Sequence, residues 1–266
     1  MGADIKSLRN RIRSVDSTLH TTKAMGLVAS SKIRRASQNM QKSREYTEAM
    51  AGVVDQLRGS PECAKSPYMH PKSGGTCLIV IAGDRGLAGG YNSNVFRLAA
   101  TEPGARIIPI GKRACERFGE GYASAEKFTS ADAAELAEKL CLGFLNGEFS
   151  RLGILYTRYQ SMMTQTAEIR WVLPLSREEG TRPKPVIFEP DEQSVLDAAM
   201  PTYVSGMIAA SVRESFASEV AARRMAMDSA GKNAQEMIDR LQLEYNQARQ
   251  NSITQEITEI VAGSGL

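Results

Sequence analysis

The sequence predicts an α/β protein with long helices: an antiparallel coiled coil of N- and C-terminal helices, with an α/β head domain between them. Three observations carry this. Residues 3–57 contain no proline and repeat apolar or small residues at alternating spacings of three and four. Residues 202–262 are again free of proline and carry a second apolar stripe. Between these segments, short apolar runs alternate with helix-like stretches, which is the pattern of a largely parallel sheet with crossover helices.

The first helical segment spans residues 1–58. Its seam reads Ile5, Leu8, Ile12, Val15, Leu19, Thr22, Gly26, Ala29, Ile33, Ala36, Met40, Ser43, Thr47, Met50, Val54, Leu57. A three-four pattern held over so many heptads argues for a coiled coil rather than a helix packed into a globule. The helix extends roughly 80 Å. Residues 59–75 follow as a linker or ordered loop, with prolines at 61, 67 and 71.

Residues 76–192 form the head. Strands are expected at 76–82, 106–110, 152–156 and 169–173, and helices at 92–100, 112–118 and 131–146. No helical stretch separates the last two strands, so they are expected to pair as a hairpin at one edge of the sheet. Residues 193–266 are the second long helix, where Pro201 allows a break or a fresh start. Its stripe runs Val212, Phe216, Val220, Met227, Ala230, Ala234, Met237, Leu241, Tyr245, Ala248, then Ile253, Ile257 and Val261. A helix with one apolar stripe must bury it, and the economical partner for each terminal helix is the other.

Composition bounds the function. The 266 residues are 42% hydrophobic and 24% charged, which suits a soluble globular chain, and only 6% aromatic, which suits much helix. There is no signal-peptide pattern, and the longest strongly apolar run is far too short to span a bilayer. Cys63, Cys77, Cys115 and Cys141 form no CxxC pair, and His20 and His70 lie near no cysteine pair, so no metal site is expected. The net charge of +3 says little, but residues 6–44 hold ten cations (Lys6, Arg9, Arg11, Arg13, Lys23, Lys32, Arg34, Arg35, Lys42, Arg44) against one acid, Asp16. Such a run is either a solvated face or a surface for an acidic partner.

The stretch "AGDRGLAGGYNSN" (82–94) joins a strand to a helix and looks like a phosphate cradle. It fails both tests for one. No lysine follows Gly89 or Gly90 as a Walker loop requires, and glycines 83, 86, 89 and 90 do not give G-x-G-x-x-G. The Gly111-Lys112 pair has Arg106 and Arg113 at the other Walker positions. A tight strand-to-helix turn in a Rossmann-like head remains, with no cofactor expected.

Five segments, "SLRNRIRSVDSTLHTTKAMGLVASSKIRRA" (7–36), "DRGLAGGYNSN" (84–94), "FEPD" (188–191), "ASEVAARRMAMDSA" (217–230) and "YNQARQNSITQEITEIVAG" (245–263), closely resemble the γ subunits of F-type ATP synthases, in that family's order and spacing. Gly83, Ala88 and Ser264 depart from it, standing where Ser or Thr, Cys and Ala are common. The resemblance implies a rotary central stalk, one copy per complex. Its partners would be the α3β3 hexamer of F1, the ε subunit and the c-ring of Fo, with peripheral membrane association through Fo and no nucleic acid. ATP would be made on β, not on this chain. It implies further that Arg223, Arg249 and Gln250 meet α or β loops that catch the shaft, with Thr254 and Glu256 either nearby or merely facing solvent. Met25 lies where the family runs close to the β levers, or fills a gap in the core. Glu189 matches a position near the c-ring loops, or is a loop carboxylate without a partner. The chloroplast form carries an inserted redox segment with a cysteine pair, and residues 188–219 run through without one. With no transit peptide, the cytoplasmic face of a bacterial membrane is the expected location.

Three other readings compete. A basic coiled helix could lie along nucleic-acid phosphates, although the second helix is mixed in charge and aromatics are scarce. A nucleotide-dependent enzyme would rest on the glycine loop alone. A generic coiled-coil adaptor would leave the C-terminal segment unexplained.

Overall fold

The first helix, α1 (Gly2–Arg58), runs unbroken for 57 residues. The computed structural model describes residues 2–176 and 186–263. Residues 1, 177–185 and 264–266, which belong to the expected segments 1–58, 76–192 and 193–266, lie outside the described residues. The chain divides into two compact units: residues 30–223, and residues 1–29 together with 224–266.

In the larger unit, a 3-10 turn at Glu62–Lys65 sits within the expected linker. It is followed by β1 (Gly75–Ile81), α2 (Tyr91–Ala99), β2 (Arg106–Ile110), α3 (Lys112–Phe118), α4 (Ser130–Asn146), β3 (Phe149–Tyr159) and β4 (Gln165–Leu173). The sheet order is β2-β1-β3-β4. β1 pairs parallel with β2 and β3, and β4 closes one edge as the antiparallel arm of the expected hairpin.

β1 reads as a continuous apolar run because both its faces are covered, as parallel sheets require. On one face Leu78 and Val80 pack with Leu155 and with Val95 and Ala99 of α2. On the other, Ile79, Ile81, Ile154 and Tyr156 pack with Leu136, Leu140 and Phe144 of α4. A capping box starts α4: the Thr129 hydroxyl accepts from the Asp132 N–H at 3.1 Å, and the Thr129 N–H donates back to the Asp132 carboxylate at 2.7 Å. Gly147, left-handed at φ 82°, ends it.

The head core reaches beyond residues 76–192. Val54 and Leu57 of α1 are buried in it, and so are Leu196, Met200, Val204 and Ile208 of the last helix, α5 (Glu192–Gly263). Each such side chain contributes about 2 kcal/mol on leaving water. This burial explains why Pro201 does not break α5: core residues Met200 and Val204 flank it and offset the lost backbone bond. One 18-residue window of α5 has a mean hydropathy of 1.3, long and apolar enough by composition to cross a bilayer, and half of that window is buried inside the protein. Further along, α1 and α5 pair antiparallel within this unit, with Ser43 meeting Arg213 and Ala36 and Met40 meeting Ala217.

The smaller unit is built from residues 2–29 of α1 and 224–263 of α5. Leu19, Thr22, Gly26 and Ala29 are buried along the expected seam, and Met227, Ala234 and Leu241 are buried on α5. The pairing is antiparallel: Gly26 faces Met227, Thr22 faces Gly231, and Arg9 donates to the Tyr245 hydroxyl at 2.8 Å. A β-carbon at Gly26 would stand 2.9 Å from the Arg224 guanidinium, so glycine sets how closely the helices approach there.

Candidate functional site

The strand order reverses beside β1: the chain leaves it for β2 on one side and returns to β3 on the other. In open α/β sheets the crevice beyond the carboxyl ends of the strands at such a point is where ligands bind. Here the chain's own helix fills it. Pairing of β1 with β3 stops at Val80 and Leu155, so the next backbone groups of β3 need other partners. α5 supplies them. The Thr157 N–H donates to the Ser215 hydroxyl at 3.0 Å, the Ser218 hydroxyl donates to the Thr157 carbonyl at 2.9 Å, and the Tyr159 N–H donates to Glu214 at 3.1 Å. Tyr91, the first residue of α2, donates its hydroxyl to the Ser215 carbonyl at 3.0 Å.

The glycine loop closes over the same stretch of α5. Gly83 lies so near Glu219 that a β-carbon would meet the carboxylate carbon at 2.8 Å. Glu219 is 3% exposed and pairs with Arg223 one turn on. It also accepts the backbone N–H of Arg85. The Arg223 guanidinium in turn donates to the Gly86 carbonyl at 3.2 and 3.3 Å and to the Arg85 carbonyl at 3.4 Å. Burial pushes the Glu219 carboxyl above its ordinary range, against the opposing pull of Arg223 and the Arg85 N–H. Loop donors and acceptors thus read one acidic and one basic side chain of the helix, and the loop's anion is a carboxylate of the same chain.

Asp84 holds the loop from the other side. Its carboxylate accepts from the Ser124 hydroxyl at 2.5 Å and from the backbone N–H groups of Ala125, Glu126 and Lys112 at 2.8, 3.1 and 3.1 Å. Burial opposes its ionisation, but these four donors outweigh burial and hold the carboxyl below its ordinary range. Gly111, at φ 101°, brings β2 against this loop, and a β-carbon there would lie 2.0 Å from the Ala82 carbonyl oxygen.

A second carboxylate joins both long helices to the end of β3. Glu214, its side chain 4% exposed, pairs with Arg44 of α1 at 2.6 Å, and Arg44 also donates to the Tyr159 carbonyl at 3.2 Å. Lys32 pairs with Glu126 at 2.6 Å in a half-exposed bridge. Two cations of the basic run therefore face internal carboxylates, while Lys6, Arg11, Arg13, Lys23, Arg34, Arg35 and Lys42 are exposed.

The residues singled out from sequence fall in three places. Arg223 belongs to the unit 30–223, its side chain 12% exposed and engaged by the glycine loop. Arg249, Gln250, Thr254 and Glu256 lie together on the exposed last turns of α5, where the Thr254 hydroxyl donates to the Gln250 carbonyl at 2.9 Å. Large apolar residues Ile253, Ile257 and Ile260 are exposed beside them. Met25 is half-buried next to the seam. Glu189 is exposed just before α5, close to Ile187, which is 90% exposed. Sequence reasoning missed Glu214, Ser215, Ser218 and Glu219. The one partial signal was the run of small residues Ser211, Ser215, Ala217, Ser218 and Ala221, which lets a helix approach its neighbours closely; nothing in sequence marked Glu214 or Glu219 as buried.

The comparisons with known proteins agree with one another. A family model described as ATP synthase matches residues 4–265. The ATP synthase gamma chain of Ruminococcus albus is 41% identical over 280 residues, covering 98% of each chain. The sodium ion specific ATP synthase gamma chain of Acetobacterium woodii is 36% identical over 298 residues, covering 99% of each. Among solved structures, a chain of the Euglena gracilis mitochondrial ATP synthase, from an OSCP/F1/c-ring structure in rotational state 3, shares the fold with a TM-score of 0.69 at 19% identity, covering 99% of this chain and 94% of that one. The chain belongs to the ATP synthase γ-chain family.

Proposed function

We propose that this chain is the non-catalytic rotor of a membrane-bound ATP synthase, carrying rotation from an ion-driven c-ring to the catalytic β subunits of an α3β3 hexamer. The single observation that carries the reading is α5, a 72-residue helix whose Leu196, Met200, Val204 and Ile208 are buried in the head core and whose last turns carry exposed Arg249, Gln250, Ile253 and Ile257. The sheet crevice supports a non-catalytic role, since Ser215, Ser218 and Glu219 of the same chain fill the place where an α/β sheet takes its ligand.

In this reading, residues 1–58 and 193–266 are the shaft and residues 76–192 carry the head. Arg249 and Gln250, with Thr254 and Glu256, meet the loops of α and β, and Met25 passes the β levers. Arg223, whose guanidinium holds the glycine loop, retains by resemblance a contact with α or β loops through its exposed fraction. Glu189 and the head face the c-ring and ε. The exposed cations of residues 6–44 present one sign of charge to acidic levers, a screened attraction that biases an angle without locking it. The complex lies on the cytoplasmic face of a bacterial membrane.

Reconstitution tests this. An α3β3 hexamer assembled with this chain and attached by α and β to a surface turns a bead fixed to the head when given ATP. A bead that stays still while ATP is hydrolysed defeats the proposal. A Glu189→Cys variant that forms no cross-link to a c-ring cysteine under oxidation removes the assignment at that position.

A further inference from the structure

We propose that Glu219 is a torque latch: packed against Gly83 of the glycine loop and paired with Arg223, it fixes the head sheet to α5 against rotation about the helix axis. The inference rests on the rotor reading above. A smooth apolar helix packed on a sheet resists separation, but resists turning about its own axis much less, because hydrophobic contact has no direction. Directional bonds at fixed points are what oppose such turning. α5 carries a compact set of them on three successive turns, all at the carboxyl ends of β1 and β3. Glu214 and Ser215 hold the end of β3. Glu219 and Arg223 hold the loop that leaves β1.

Glu219 is the member of this set that faces the loop most closely. It is buried at 3% exposure, and it lies within van der Waals reach of Gly83, where a β-carbon would stand 3.2 Å from its Cγ. Arg223 closes the circuit by binding both the Glu219 carboxylate and the carbonyls of Arg85 and Gly86. Charged hydrogen bonds in a dry site are stiff and directional. With the carboxylate removed, α5 keeps its apolar packing and loses its angular stop on the β1 side. Glu219 is then a positioning residue for the rotary reaction, acting on coupling rather than on the chemistry of ATP.

The test uses the whole ATP synthase in sealed vesicles, with ions pumped per ATP hydrolysed as the readout. Complexes with the unaltered chain are measured first; if they hydrolyse ATP without pumping, the rotor reading fails and the latch fails with it. Glu219→Ala is expected to lose ions pumped per ATP hydrolysed. A second variant rebuilds the latch covalently. Gly83→Cys with Glu219→Cys, in a Cys115→Ser background, places one sulfur near the Glu219 Cγ position, within disulfide reach of the other residue. Reduced, this protein is expected to slip like Glu219→Ala; oxidised by copper phenanthroline, with the bond verified by mass, it is expected to recover the unaltered ratio. The latch is refuted if the reduced form pumps as well as the unaltered chain, or if the verified disulfide leaves the ratio as low as in the reduced form.

Discussion

Arg223 of α5 donates two hydrogen bonds to the carbonyl oxygen of Gly86, 137 positions earlier in the chain, while pairing with Glu219 one helical turn away. The arginine is thus the counter-charge of a buried carboxylate and a clamp on a loop at once. Breaking a buried pair from one side leaves an uncompensated charge, which costs about 3–5 kcal/mol. Arg223→Leu is expected to lower stability to urea by that order. Adding Glu219→Gln, which removes the stranded charge, should return a large part of the loss. Additive losses in the double variant would show that the two side chains do not act as a pair.

The same pair gives a pH dependence. Burial raises the Glu219 carboxyl above its ordinary value of 4.5 in the folded protein, so the folded state holds this proton more tightly than the unfolded chain. The associated stability is complete below pH 4.5 and is lost as pH rises through the folded value. Glu219→Gln has no such proton. The stability of the natural protein relative to Glu219→Gln should therefore decline as pH is raised from 4.5, and a difference independent of pH would contradict the assignment.

The seam and the sheet were legible because both are periodic in one dimension. Leu19, Thr22, Gly26, Ala29, Ala36, Met40, Ser43, Thr47, Val54 and Leu57 are buried at the places the three-four spacing assigns. The apolar run before the glycine loop is β1, and the run without an intervening helix is the hairpin. Glu214 and Glu219 were not legible. A carboxylate on a helix reads as solvent-facing, and what holds Glu214 includes the Tyr159 N–H and Arg44, 170 residues away, neither of which has a signature in sequence. Arg223 was found by resemblance as a shaft residue, but the loop it holds could be seen only once α5 was placed across the sheet. Pro201 read as a possible break because periodicity carries no information on how firmly the flanking Met200 and Val204 are packed.

Asp84 makes an independent case. Its four donors stabilise the ionised form, so its contribution is present above its ordinary value of 3.8 and is lost as pH falls through the lower folded value. Asp84→Asn keeps one acceptor oxygen and turns an amide N–H group toward donors. A loss of about 2 kcal/mol at neutral pH is expected, read from chemical denaturation. Unchanged stability would mean that Ser124 and the Lys112, Ala125 and Glu126 amides find other acceptors.

Two cations in the same basic run should behave differently. Lys32 and Glu126 form a bridge with side chains 39% and 40% exposed, and such pairs contribute less than about 1 kcal/mol. Arg44 faces the buried Glu214, whose carboxylate also accepts the Tyr159 N–H. Arg44→Ala is expected to destabilise by about 3–5 kcal/mol and Lys32→Ala by under about 1 kcal/mol. Equal melting temperatures for the two variants would show that burial of Glu214 does not govern the pair.

Met25 is half-buried beside Gly26, where the paired helices come close. A lysine there can extend its ammonium group to water while its stem stays packed, so folding tolerates the change. Under the rotor reading, the new charge meets an acidic lever and adds an ion pair at one angle of the cycle. Met25→Lys should then melt like the natural chain and pump fewer ions per ATP. Pumping at the natural ratio would assign Met25 to gap filling alone.

Arg249 separates function from stability most cleanly. It sits on the exposed last turns of α5, with Gln250 adjacent and Thr254 and Glu256 further along. Exposed substitutions away from caps and buried pairs change stability by no more than about 0.5 kcal/mol, so Arg249→Ala should leave the melting temperature of the isolated chain nearly unchanged. A guanidinium that meets a carboxylate of a surrounding subunit is desolvated on assembly, and losing one such contact is worth about tenfold or more. ATP synthesis driven by an ion gradient should fall by that factor in complexes carrying Arg249→Ala, with Arg249→Lys intermediate because it keeps the charge but not the planar fork. Natural rates of synthesis in the alanine variant would remove Arg249 from the contact and leave it as a solvated side chain on the helix end.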